Sequence, residues 1–280
     1  MFELFKTVLI LSIFGFCITA LLLCLKPITA KKFPAIWQYY VWVAVLLSMI
    51  IPTYKLIPTG EVQKFPLIPQ NTVIEQETPQ NLEEAPRMVV LDEKPIEHRE
   101  INITPKLSIK LLDLFAYVWF AGMCIYLIIV VSSYIIYIVR KHQKAVVITE
   151  NSVLDDVKKE LKIKRKIKVR MSPDIQSPML VGALFPAIYI PCREIPVEHM
   201  RMVFLHELTH YKRKDLLIKW LSLLVNAVHW FNPLAYLLCA NVSEACEVSC
   251  DMAVTKKMSD EQQKVYMNTI LDLAGGEKYA

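Results

Sequence analysis

The chain has 280 residues, 54% of them hydrophobic and only 6 of them glycine, and its mean hydropathy is positive at +0.36. That balance excludes an ordinary soluble enzyme of this length and points to a membrane protein. The formal net charge of +5 is modest, and the main basic run, taken up below, does not call for a nucleic-acid partner.

Residues 8–25 form an uncharged apolar run of about 18 residues, enough to cross roughly 30 Å of hydrocarbon as a helix. No small-residue cleavage site follows it, and Lys26, Lys31 and Lys32 stand at its far end, so it reads as an uncleaved span rather than a signal peptide. A second span is predicted from about Ile36 to Ile51, closed by Pro52, with Trp37, Tyr39, Tyr40 and Trp42 marking one interface. Residues 53–108 turn to Pro, Glu, Gln and Asn, a composition that cannot bury enough apolar area to order itself and predicts a flexible loop. A third span runs from about Leu111 to Val139 and closes with Arg140, Lys141 and Lys144. Lysine and arginine belong on the cytoplasmic side, which leaves the amino terminus and the loop outside. The expected division is therefore two transmembrane helices in residues 1–53, an extracytoplasmic loop in 54–108, a third transmembrane helix in 109–140 and a cytoplasmic domain in 141–280. The seven cysteines agree, since none lies in the outer loop, where an oxidising compartment would favour pairing.

From Ala145 the pattern predicts a mixed α+β domain, with a strand over 145–149, a helix over 152–161 opened by a serine cap and a strand over 167–171. Eight basic residues fall between Lys158 and Arg170. No aromatic residues interleave, and Ile167, Val169 and Met171 alternate with Lys166, Lys168 and Arg170, so a solvated strand face beside anionic lipid is the reading, with no direct nucleic acid. Further on, Pro186 and Pro191 bracket a short apolar strand, Ala187, Ile188, Tyr189 and Ile190. Proline is confined to strand ends and sheet edges, so this strand is either an edge that pairs with an extended substrate chain or an ordinary edge covered by another element.

His206-Glu207-Leu208-Thr209-His210 follows within the apolar run Met202–Leu205. On a helix the two histidines lie one turn apart on one face, so both can reach a single Zn2+ ion, and Glu207 lies beside the first ligand, where a general base must stand to take a proton from metal-bound water. A second helical cluster holds Glu247 and Asp251 at i and i+4. One carboxylate can complete the coordination while the other accepts a ligand histidine's free N–H. Three protein ligands and an open water position make a catalytic zinc site rather than a structural one. Cys246 and Cys250 have CxxxC spacing on a helix and read as small core residues. Residues 216–240 are apolar enough for a fourth span, but a single crossing would put the histidines and Glu247 on opposite sides of the bilayer. The break at Asn232-Pro233, together with Lys219, Asn226 and His229, predicts instead a helix pair that folds back, which brings the site close to the membrane.

Taken together, HELTHYKRKD (206–215), HWFNPL (229–234), SPMLVGALFPAIYIP (177–191) and EVSCD (247–251), with the three amino-terminal spans, resemble the membrane metallopeptidases of the bacterial antirepressor family, the BlaR/MecR type of sensor-transducer. The resemblance covers nearly the whole chain. It implies a gluzincin-like zinc metallopeptidase domain with His206, His210 and Glu247 as zinc ligands, Glu207 as catalytic base and Asp251 behind the ligands. Glu247 rather than Glu244 fits because only Glu247 has a carboxylate one turn further on. The resemblance also implies a multi-pass protein of the bacterial cell membrane that cuts itself or a cytoplasmic repressor after an outside stimulus; a homo-oligomer is compatible with this.

Sensor-transducers of this type continue through another span into an outer penicillin-binding domain, whereas this sequence stops at Ala280 and holds no Ser-x-x-Lys. A β-lactam response therefore does not follow from these residues. The chain is expected to be a fragment or a family member without that sensor, and the 53–108 loop is the only segment large enough to sense an outside ligand. Two other classes stay open beside the peptidase: a signalling or binding module with an inactive peptidase domain, and a scaffold in which the histidines merely pack.

Overall fold

The computed structural model describes residues 1–52, 106–148, 151–182 and 185–274. The predicted extracytoplasmic loop lies outside the described residues, except that its last three positions already belong to a helix. Among the described residues two helices are long and apolar enough to cross a bilayer, α1 (Phe2–Lys32) and α3 (Lys106–Gln143, counted from Leu111). Ile13, Phe14 and Leu21 on the first, and Leu114, Phe115 and Ile128 on the second, face outward. Apolar surface on that scale suits hydrocarbon rather than water.

The predicted second span differs. Its helix, α2 (Ala35–Ser48), has 14 residues, about 21 Å at 1.5 Å per residue and short of the roughly 30 Å of a hydrocarbon core. Its apolar run serves packing: Trp42, Val45, Leu46 and Met49 form one core with Val225, Ala235, Leu238 and Val242. Tyr39 and Trp42, expected at a lipid interface, are buried in protein instead, while Trp37 and Tyr40 are exposed.

The carboxyl-terminal half comprises β1 (Val146–Ile148), α4 (Ser152–Glu160), β2 (Lys168–Ser172), β3 (Met179–Val181), β4 (Ala187–Pro191), α5 (Val197–Arg213), α6 (Asp215–Val228), α7 (Pro233–Thr255) and α8 (Asp260–Ala274). The cap of α4 is Asn151, whose Oδ1 accepts from the Leu154 N–H at 3.0 Å, so Ser152 is the first helical residue rather than the cap. The sheet order is β1-β2-β4-β3, with β2 and β4 parallel and the outer pairs antiparallel. That order overturns the edge-strand reading of Ala187, Ile188, Tyr189 and Ile190. Both flanks of β4 are taken, Ile188 standing opposite Val169 on one side and Leu180 on the other. The prolines bracket an interior strand because Pro186 precedes it and Pro191 is its last residue. The edges of the sheet are β1 and β3, and the sequence pattern did not reveal β3 as one. Gly182 closes β3 at φ +87°, where a side chain would run into the Phe185 carbonyl.

One face of the sheet carries α5, with Ile188, Ile190, Phe204, Leu208, Val157 and Tyr266 in a common core. Lys214 alone separates α5 from α6 and adopts the left-handed conformation (φ 62°, ψ 30°). The predicted fold-back is present: α6 and α7 form a hairpin broken at 229–232, where Asn232 caps α7 through its Oδ1 and Pro233 takes the first helical position. This turn is held by all three amino-terminal helices. The Asn232 amide donates to Ser12 Oγ of α1 at 2.8 Å, His229 Nε2 to the Met49 carbonyl at the end of α2 at 3.0 Å, and the Trp230 indole to the Trp119 carbonyl of α3 at 3.2 Å. Trp119 returns a bond to the Val228 carbonyl at 2.8 Å.

Candidate metal centre

α5 carries His206 and His210 one turn apart on the face turned towards α7, which brings Glu247 and Asp251 to meet them. Three atoms converge. His210 Nε2 lies 3.1 Å from His206 Nε2 and 3.1 Å from Glu247 Oε2, and His206 Nε2 lies 3.6 Å from Glu247 Oε2. Corners of a tetrahedron with bonds of about 2.0–2.1 Å stand about 3.3–3.4 Å apart, so this donor set is spaced as zinc requires.

The outward-facing ring nitrogens are also occupied. His206 Nδ1 lies 2.7 Å from the Tyr266 hydroxyl and 3.2 Å from Asp251 Oδ1, and the Tyr266 hydroxyl donates to that same Asp251 oxygen at 2.6 Å. His210 Nδ1 lies 2.8 Å from Asp215 Oδ2. A carboxylate behind each imidazole fixes its tautomer and leaves Nε2 free to bind a metal. Asp251 thus stands behind the His206 ring, on the side away from Glu247. Asp215 is fully buried and is also paired with Arg213 Nε at 3.2 Å.

The charges follow from these contacts. Burial opposes the charged form of His206, yet its bonds to Asp251 and Glu247 prevail and push it up to about 10. Asp215, Cys246, Cys250 and Glu247 likewise prevail over burial and raise His210. With the two Nε2 atoms 3.1 Å apart, the rings share a proton rather than hold one each. Glu247, Asp215 and Asp251 are all lowered, against burial, chiefly by the histidine each one faces. Glu207 behaves oppositely: it is buried, and burial raises it against the pull of both histidines.

A cleft of about 410 Å³ opens over the three donors, and Glu207, Lys219 and the β3 residues Met179 and Leu180 line it. Lys219 Nζ binds the second Glu247 oxygen at 3.1 Å. Among the described residues two other donor groups fall within 4.8 Å, His206–His210–Cys250 and His210–Asp215–Cys246. Both depend on cysteines that are almost fully buried, and Cys250 Sγ faces the His206 carbonyl at 3.8 Å. Glu247 opens onto the cleft, whereas both cysteines lie in the core. Glu244 faces away and pairs with Lys26 of α1 at 2.8 Å.

Sequence reasoning missed Asp215, Lys219 and Tyr266 as site residues. Asp215 lies only five positions beyond His210, but the left-handed Lys214 is what turns it back. Tyr266 lies on a helix 60 positions beyond His206, and no local pattern announces it.

The family described as BlaR1 peptidase M56 matches residues 6–279. A protein named regulatory protein BlaR1 from Bacillus licheniformis is 34% identical over 172 residues, 59% of this chain and 28% of that protein. The methicillin resistance mecR1 protein of Staphylococcus aureus (strain Mu50 / ATCC 700699) is 23% identical over 270 residues, 94% of this chain and 45% of that protein. Regulatory protein BlaR1 of Staphylococcus aureus is 25% identical over 277 residues, with the same two shares, 94% and 45%. The chain thus spans less than half the length of these relatives.

Proposed function

The chain belongs to the BlaR1 peptidase M56 family, and from that premise we propose that it is an integral membrane zinc endopeptidase of the regulatory sensor-transducer type. It cuts itself or a cytoplasmic repressor protein in response to an outside signal. The observation that carries this reading is the spacing of His206 Nε2, His210 Nε2 and Glu247 Oε2, 3.1–3.6 Å apart beneath an open cleft that also holds Glu207.

His206, His210 and Glu247 would hold the zinc, with Asp251 and Asp215 fixing the two rings from behind. Bound zinc supplies a Lewis acid that polarises a peptide carbonyl and lowers the pKa of a water molecule. Glu207 takes the proton of the attacking water on its carboxylate and passes it to the leaving amine; its raised pKa suits both transfers. The free edge of β3, Met179–Val181, pairs with the extended substrate, a role that passes to it from β4. The peptidase part, residues 141–280, is of the gluzincin type on this reading.

α1, α2 and α3 form the membrane part, α2 making a short return crossing packed on α7, with the amino terminus outside and the peptidase in the cytoplasm, as Lys26, Lys31, Lys32, Arg140, Lys141 and Lys144 require. Ser12, which holds Asn232, lies 14 positions before Lys26, about 21 Å along α1. The α6–α7 turn therefore reaches deep into the bilayer, its His229 Nε2, Trp230 indole and Asn232 amide paired to the surrounding helices as hydrocarbon demands. The printed names of the relatives support the regulatory role.

The test pairs zinc content with processing in detergent, using the chain itself and a co-expressed repressor as substrates. Glu207→Gln should keep its zinc while cleavage falls at least about 100-fold, and His206→Ala should lose the metal. Equal processing by parent and Glu207→Gln would remove the enzyme reading. Zinc in the parent without processing in any variant would favour the alternative, a signalling module with an inactive peptidase fold.

A further inference from the structure

The geometry points to Tyr39, on the amino-terminal helix α2, as a positioning residue for the metal ligand His210, acting through Asp215. The inference rests on the zinc reading above and adds to it a residue from outside the peptidase part. The Tyr39 hydroxyl donates to Asp215 Oδ1 at 3.1 Å, while Asp215 Oδ2 accepts from His210 Nδ1 at 2.8 Å and from Arg213 Nε at 3.2 Å. Asp215 is 1% exposed and Tyr39 5%, so water cannot take the place of the hydroxyl. The Arg213 guanidinium also lies over the Tyr39 ring, 4.9 Å from its centroid.

The physical consequence concerns orientation. A carboxylate with one oxygen shared between His210 and Arg213 and the other free could rotate about its Cβ–Cγ bond, and the imidazole would turn with it. The Tyr39 bond pins the second oxygen, fixes the carboxylate plane and thereby aims His210 Nε2 at the point it shares with His206 and Glu247. Because α2 is itself held at its far end by the bond from His229 to the Met49 carbonyl, the aim of a metal ligand depends on where α2 sits against the α6–α7 hairpin.

Removing the group directly behind a metal-bound histidine costs about 10- to 100-fold in metal affinity; one step further out, Tyr39→Phe should weaken zinc about 3- to 10-fold. The measurement is the zinc dissociation constant of the full chain in detergent, by competition with a chromogenic chelator, for the parent, Tyr39→Phe, Asp215→Asn, the double variant, Tyr40→Phe and Val45→Ala. Tyr40 is an exposed neighbour on the same helix, and its loss should leave the constant within twofold. Val45→Ala loosens α2 on its core without touching Asp215, so it should lower the unfolding midpoint and also leave the constant within twofold. In the Asp215→Asn background, Tyr39→Phe should add nothing. An unchanged constant in Tyr39→Phe, an equal loss in Val45→Ala, or full additivity in the double variant would each overturn the assignment. A parent that binds no zinc at all would instead bring down the metal reading on which it stands.

Discussion

At the scale of single residues, the site is a set of nitrogens and oxygens whose protons must be displaced before a metal can enter. His206 is pushed up to about 10 by Asp251 and Glu247 despite burial, so at neutral pH the metal-free cluster holds at least one proton between its ring nitrogens. Zinc binding must expel it. The apparent zinc affinity should therefore fall as pH drops from about 9 to 6, by about tenfold per unit for each proton displaced, a dependence that zinc-binding titrations at several pH values measure. A flat profile would show that the metal-free site carries no such proton. The two glutamates near the site separate in the same assay. Glu247→Ala removes a donor and should lose the metal, while Glu244→Ala, which takes away only one of the two partners of Lys26, should retain it. The pair His206 and His210, with Glu207 between them, was legible because a helix puts i and i+4 on one face whatever surrounds it. Asp215 and Tyr266 were not, since one depends on a backbone reversal and the other on which helix docks from a distance.

At the scale of elements, the left-handed Lys214 is the joint on which the site turns, for it ends α5 and starts α6 with no intervening loop. A non-glycine residue in that conformation costs about 1–2 kcal/mol. Lys214→Gly should thus leave zinc binding unchanged and match or exceed the parent's stability by up to about 1 kcal/mol. A β-branched valine at this position should destabilise by about 1–2 kcal/mol and weaken zinc as Asp215 moves out of reach; thermal unfolding with and without zinc reports both. Elements also mark where pattern reading failed. β4 looked like an edge because prolines flank it, yet its ladder positions are filled on both sides and its neighbour β3 is the edge strand on that side. Proline limits only the residue whose N–H is missing, not the strand beside it. α2 looked like a lipid-facing span because its run is apolar, but hydropathy does not distinguish burial in lipid from burial against α7.

At the scale of the molecule, α2 shares a packed core with α6 and α7, apart from the core under the sheet, and the α6–α7 turn ties all three amino-terminal helices together. Gly122 of α3 lies against the Trp230 ring, where any side chain would collide. Gly122→Leu should therefore displace the turn and lower the unfolding midpoint, whereas Gly122→Ala should do so less; equal midpoints for all three proteins would mean that α3 does not clamp the hairpin. The proposed orientation is tested with single cysteines at Glu3 and Glu160 in a cysteine-free background. An impermeant thiol reagent on intact cells should reach position 3 and spare position 160, and labelling at 160 would reverse the topology.

What the sequence determined by itself were the properties carried by local spacing and bulk composition. These are the apolar runs of α1 and α3, the HELTH helix with two imidazoles on one face, the paired carboxylates of α7 and the break at Asn232-Pro233 that forces a hairpin. All of these depend on helix periodicity or on the absence of charge, which neighbours do not alter. The tertiary structure alone decided which carboxylate stands behind which histidine, which strand is left with unpaired backbone groups, and that the second apolar helix lies against protein with Tyr39 on Asp215. Those outcomes depend on contacts between residues far apart in the chain, where the same apolar or polar side chain satisfies several partners equally well until packing selects one.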